Sequence, residues 1–370
     1  MKKKTRNIIL IIIGALASLF FLGKYNFEND KQALIQIKSL TANGDILAVI
    51  NEMEENPSFT NIPINFAYKK WKKTFESRFI TKDEVIENTS GNKIVNDIST
   101  IYRTYWRTQL LKPNPENKTD TSLYHNLTNY LLSNKLTNLT RDSLSKTIKN
   151  NSELKRIIED EGFKADFKFL NGIQELYIWE KESTKNYEVI LPKDTIKTKV
   201  VFIEEYHING SDHYATIGYS QVGGWAIKES ATLYCNKDVY DLGSEKFEVS
   251  YLKHESLHFT DLNEYPNLSS SDLEYRSKVI ELIYCTEETA YDRIAEFISE
   301  ANNSDRNYSH PYANYILIEN LSKLLFNSEF ESDMNQWNKI SIAKINNAAS
   351  LLYKSSEEIL QKDSSLTEVI

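Results

Sequence analysis

Residues 244–259 read Ser-Glu-Lys-Phe-Glu-Val-Ser-Tyr-Leu-Lys-His-Glu-Ser-Leu-His-Phe, and they follow a stretch of different character. Between Gly172 and Cys235, the runs Glu175–Trp179, Tyr187–Leu191, Lys199–Tyr206, His213–Tyr219 and Trp225–Cys235 are short and rich in Val, Ile, Tyr and Thr. Such runs predict strands. Beyond Gly243 the apolar residues return to three- and four-residue spacing and keep it to a polar tail after Gln361, which predicts helix. The change of period at Ser244 therefore sets the fold class: a small mixed or antiparallel sheet, then a helix, then a further helical subdomain. Ser244 is placed to cap that helix. Asn209-Gly210 predicts a hairpin turn, with His207 and His213 as its solvent-facing flanks. Gly223-Gly224 marks a second tight connection.

Upstream the pattern is helical and polar. Lys31–Leu40, Asp45–Glu55, Asn65–Phe79, Lys93–Leu111 and Ser122–Leu131 have helical apolar spacing, and Pro57, Pro63, Pro113 and Pro115 punctuate them. His125 stands alone there and reads as a surface or packing residue. The whole is expected to be α+β and mostly helical. Its parts are an N-terminal segment 1–29, a helical domain 30–165, a site-bearing domain 166–330, and a C-terminal helix with frayed tail, 331–370. With 370 residues, 41% hydrophobic and 12% aromatic, the chain can bury a sizeable core. A net charge of −8 argues against a basic face, so nucleic acid is not an expected partner. No organic cofactor is expected either.

Lys2, Lys3, Lys4 and Arg6 precede an apolar run from Ile8 to Gly23. Its length of about 16 residues falls short of the roughly 20 that span a bilayer comfortably. The small-x-small triplet Ala15-Leu16-Ala17 lies inside the run, so an uncleaved signal anchor is preferred to a cleaved signal. That reading makes the chain a single-pass cell-envelope protein with everything after Lys24 outside the cytoplasm. In an exported chain Cys235 and Cys285 are either one disulfide or two buried thiols, with the thiols favoured.

His254-Glu255-Ser256-Leu257-His258 carries the chemistry. Residues four apart on a helix stand one above the other, so the two imidazoles present themselves to a single ion. Glu255 is one step round, close enough to touch a metal-bound water without ligating the metal. In that position a carboxylate takes the proton of the water and passes it to a leaving amine. By chance this pattern arises in about one such sequence in a hundred, so an accident is a poor explanation.

This motif resembles that of the zincin metallopeptidases, in particular the gluzincins, over about residues 170–330. The resemblance implies one Zn²⁺, a sheet whose edge strand binds extended peptide or protein substrate, and a third ligand Glu from the following helix. Along Asp272–Asp292 that Glu is Glu274, with Glu281 and Glu288 as alternatives at seven-residue intervals. Two local readings compete: Ser271-x-x-Glu274 is also a capping box, and Lys278 is spaced to pair with Glu274 and Glu281. Asp261 and Glu264 exclude the metzincin pattern; Asp261 is a candidate to orient a ligand His, and Glu264 is a poor ligand. His310, with Tyr312 and Tyr315 as rivals, is expected in a loop as the donor to a developing oxyanion. The expected function is a membrane-anchored, exported zinc metallopeptidase with metal ligands His254, His258 and Glu274 and catalytic residues Glu255 and His310. The alternative is a non-catalytic envelope scaffold that keeps or has lost its metal.

Overall fold

Asn92 begins the first long helix that the sequence spacing predicts. Its side chain accepts from Ile94 N–H at 2.8 Å and Val95 N–H at 3.1 Å, satisfying donors that a helix start leaves orphaned. The helix Lys93–Leu110 then buries Val95, Ile98, Tyr102 and Trp106 along one stripe. The computed structural model describes residues 30–370 apart from 31, 32, 35, 42, 43, 87, 113, 114, 228, 229, 287 and 288. The described chain is a mostly helical α+β protein with a mixed five-stranded sheet. The strands are β1 (Lys164–Leu170), β2 (Ile173–Ile190), β3 (Thr195–Asn209), β4 (Gly224–Ile227) and β5 (Thr232–Asn236), in the order β1-β2-β3-β5-β4. β1 pairs antiparallel with β2 and β4 antiparallel with β5, whereas β3 and β5 run parallel from Lys199↔Thr232 to Ile203↔Asn236.

Two compact units divide the chain. One takes the described residues to Lys181 together with Glu205–Val222; the other takes Glu182–Glu204 and Gly223–Ile370. In the first, helix Lys93–Leu110 shares a core with Leu123, Leu127 and Leu131 of helix Thr121–Ser133, and Trp106 Nε1 donates to Gln174 O at 2.8 Å. His125 is exposed and pairs with Asn129 at 2.8 Å.

Asn209-Gly210 does not make a hairpin. Gly210, at φ +73°, opens a short helix Gly210–Ala215 instead. The buried Glu175 carboxylate accepts from Ser211 N–H at 2.6 Å, and a Cβ at residue 210 would lie 3.0 Å from that carboxylate. Burial pushes the Glu175 carboxyl up to about 7 even though the Ser211 bonds favour its charged form. His207 bonds Thr89 O at 2.6 Å and the half-buried His213 bonds Ser220 O at 2.9 Å, so neither is a free turn residue. Two predicted strands, Glu175–Trp179 and Tyr187–Leu191, are parts of the single strand β2, while Trp225–Cys235 divides into β4 and β5.

In the second unit β2, β3 and β5 contribute Val189, Val200, Phe202, Leu233 and Cys235 to a core shared with Phe247, Tyr251 and Leu257. Ser244 Oγ accepts from Phe247 N–H at 3.2 Å and caps the segment that follows. Lys246–Lys253 is wound as a π-helix and continues as the α-helix His254–Glu264, the motif helix. Helix Ser270–Tyr284 packs against the motif helix and also against helices Ser309–Phe326 and Ile342–Lys362. Cys235 and Cys285 are both buried free thiols.

The membrane expectation requires correction. Among the described residues no helix is long and apolar enough to cross a membrane. The longest of them, Ile342–Lys362, contains Lys344, Lys354, Glu357, Glu358 and Lys362. The apolar run 8–23 lies outside the described residues. The signal-anchor and transmembrane-helix assignments are therefore withdrawn, and with them the single-pass membrane, cell-envelope localisation.

Candidate metal centre

A helix that is buried nearly all round normally carries apolar residues, because an unpaired buried charge is expensive. Helix Ser270–Tyr284 departs from that rule. Asp272, Arg276, Lys278 and Glu281 are all at most 6% exposed. Its N-cap is Ser269, which accepts from Asp272 N–H, while Ser271 Oγ donates to Arg306 O at 2.5 Å. The capping-box alternative is thus not used, and the Glu274 carboxylate is left for other work.

That carboxylate meets both motif imidazoles. Glu274 Oε2 lies 3.2 Å from His254 Nε2, and Glu274 Oε1 lies 3.5 Å from His258 Nε2. The three ligand atoms fall within 4.8 Å of one another. A tetrahedral ion with bonds of 2.0–2.1 Å holds its ligand atoms about 3.4 Å apart, close to both distances. Glu274 Oε2 is buried and accepts no hydrogen bond, although His254 and His310 stand at ion-pair distance from it. A buried carboxylate oxygen aimed between two imidazoles, without a donor of its own, is what a metal ligand needs. The donor set fits a divalent transition metal.

The supporting contacts fix the imidazole orientations. His254 Nδ1 bonds Glu281 Oε1 at 2.8 Å, which turns Nε2 toward Glu274. Glu281 Oε2 in turn accepts from Arg293 Nη1, and Arg293 also bonds Ser250 and reaches Glu245 at 3.4 Å. Ser277 Oγ lies 3.5 Å from His258 Nδ1 and donates to His254 O at 3.1 Å. Burial disfavours an imidazolium at His254, but Glu274 and Glu281 outweigh it and hold its pKa up to about 10. Burial likewise opposes charge on Glu274, yet the imidazoles, His254 foremost, hold its carboxyl well below the usual range. The centre is therefore built to surround positive charge. Glu281→Gln is expected to weaken metal affinity about 10- to 100-fold, read by competition with a chelator; unchanged affinity would deny Glu281 its orienting role.

Among the candidates, Glu281 supports His254 rather than closing the ligand set, and Glu288 lies outside the described residues. Asp261 pairs with Arg276 at 2.7 Å instead of orienting a ligand His, and Glu264 pairs with Lys193 at 2.6 Å. His310 sits in the first turn of helix Ser309–Phe326, not in a loop, with Nδ1 3.0 Å from Glu274 Oε2 and its side chain 62% exposed. Tyr312 packs on Arg306 and Tyr315 stacks on Phe330 at 5.0 Å, so these rivals are occupied elsewhere.

A cavity of about 430 Å³ opens beside the centre. Glu255 and His310 line it, as do Tyr240, Lys278 and Arg293, which the sequence reading did not select for the site. Tyr240 lies in a connecting segment that carries no motif. Burial raises its hydroxyl pKa, so it remains a protonated donor at neutral pH. The first unit holds an apolar cavity of about 440 Å³ lined by side chains such as Leu34, Ile37, Ile64 and Trp71, with no carboxylate or imidazole on its walls. A further cavity of that unit, of about 500 Å³, is lined by Asp120, His125 and Arg141 among others, but brings no second imidazole to His125. No protein-family model matches the chain, and no curated protein and no solved structure matches it.

Proposed function

We propose that this protein is a metal-dependent hydrolase of the metallopeptidase type, with zinc as its ion and peptide or protein as its substrate. One observation carries the reading: His254, His258 and Glu274 form a three-residue ligand set beside a cavity that Glu255 lines. Three protein ligands suit a catalytic site, since a structural zinc is normally enclosed by four. A zinc ion held there supplies Lewis acidity toward a carbonyl oxygen and acidifies water.

The remaining work falls to the side chains. Glu281 and Ser277 hold the imidazoles in place, so that the ligands need little reorganisation. Glu255, outside the proposed ligand set and in no ion pair among the described residues, takes a proton from attacking water and delivers it to the departing amine. His310 and Tyr240 are the hydrogen-bond donors on the cavity wall for an oxygen that gains negative charge.

The test is cleavage of a mixed peptide library by the zinc-loaded full chain. Activity that a chelator removes and added Zn²⁺ restores is the expected result. A fully loaded protein that cleaves no peptide would favour the non-catalytic scaffold instead.

A further inference from the structure

Lys278 is the unexplained residue of the centre. It is 6% exposed, it lines the cavity of about 430 Å³, and it lies one turn beyond Glu274 on the same helix. Among the described residues it has no hydrogen bond and no ion pair; its ammonium instead sits 4.8 Å from the centroid of the Phe297 ring. Glu281 feels its charge, but the two Glu281 oxygens are already taken by His254 and Arg293. Glu296 also feels it without pairing. A buried ammonium has three donors to satisfy, and a ring face satisfies none of them as an oxygen would. Asp292, Glu296 and Glu300 lie on the cavity wall too and would suggest a basic substrate. Asp292 and Glu300 are exposed and hence solvated, and burial disfavours the charge on Glu296, whereas Lys278 is buried without a partner, so its demand for one prevails.

We infer that Lys278 is the specificity-determining group of the cleft and receives a carboxylate of the substrate. Four residues of helix place it about 6 Å along the axis from Glu274. An extended peptide advances about 3.3 Å per residue, so the carboxylate lies one or two residues from the bond to be cleaved. A C-terminal carboxylate and an Asp or Glu side chain share that chemistry. This inference rests on the proposed peptidase reading, and it names the class of peptide that the site prefers.

Binding rather than turnover separates the two. The probes are a dipeptide hydroxamate ending in a free carboxylate, the same compound ending in a carboxamide, and a carboxamide bearing an Asp side chain. A plain dipeptide with a free carboxylate and no chelating group completes the set. Calorimetry on the full chain is expected to show carboxylate forms binding about 10- to 100-fold tighter than the neutral carboxamide, as for a charge-assisted hydrogen bond. Lys278→Met should remove that preference and leave the affinity for the neutral carboxamide unchanged, while Lys278→Arg should restore part of it. Which carboxylate arm shows the preference decides between chain terminus and side chain. Equal binding of all forms by the wild type, or a preference that survives Lys278→Met, would overturn the inference. Zinc content of the same preparations, with the chelator-free dipeptide, reports separately on the metal reading: loss of the ion alone sinks the peptidase and leaves the Lys278 comparison readable.

Discussion

Glu255→Gln is expected to lower kcat/KM for peptide cleavage by about 10²- to 10⁴-fold while the protein keeps its full metal content. Gln has nearly the shape of Glu and still lines the cavity, but it cannot take a proton near neutral pH. The proposed ligand set is His254, His258 and Glu274, so the substitution leaves every proposed metal ligand in place. The two readouts must therefore separate: kinetics collapse and zinc analysis does not change. Parallel loss of metal and activity would make Glu255 a ligand. Retention of both would remove it from the chemistry.

The second large effect is on stability. Arg276 is fully buried and bonds Asp261 twice, at 2.7 and 2.9 Å, with Glu357 and Ser356 each at 2.8 Å. Its guanidinium also lies 4.7 Å from the centre of the Tyr353 ring. Asp261 is on the motif helix, Arg276 two residues beyond Glu274, and Ser356 and Glu357 on helix Ile342–Lys362, so one side chain ties three helices together. Burial works against the Arg276 charge, but Asp261 outweighs it and raises the guanidinium pKa further. Arg276→Met leaves two buried carboxylates without their common partner, and breaking a buried pair in this way costs about 3–5 kcal/mol. Urea unfolding of the metal-free protein should show that loss, and zinc affinity should fall with it because the two ligand-bearing helices lose their brace. A change within about 0.5 kcal/mol, typical of surface substitutions, would contradict the account.

What was legible in the sequence is local. Lys93–Leu110 and the motif helix follow from spacing within a few turns, and the two imidazoles converge because a helix brings residues four apart together. Glu274 could be nominated from its helix, but Glu281 could not be given its role. Its contact with His254 spans 27 residues and depends on how two helices pack. Arg293 and Tyr240 reach the cavity through tertiary packing alone. Turn chemistry misled in one place: Asn209-Gly210 has the composition of a hairpin, yet the buried Glu175, far back in the chain, recruits Ser211 N–H and turns the backbone into a helix. Capping chemistry offered a competing reading in another, which the structure does not use because Ser269 rather than Ser271 caps the helix that bears Glu274. Local rules gave plausible partners there, and distant side chains decided between them.

The most direct measurement is zinc stoichiometry after gel filtration of the full chain, beside His258→Ala and Glu274→Ala. One tightly held equivalent in the wild type, and its loss in both variants, is the predicted result. A wild-type chain that retains no transition metal, or variants that hold it as firmly as the wild type, would contradict the assignment of this centre.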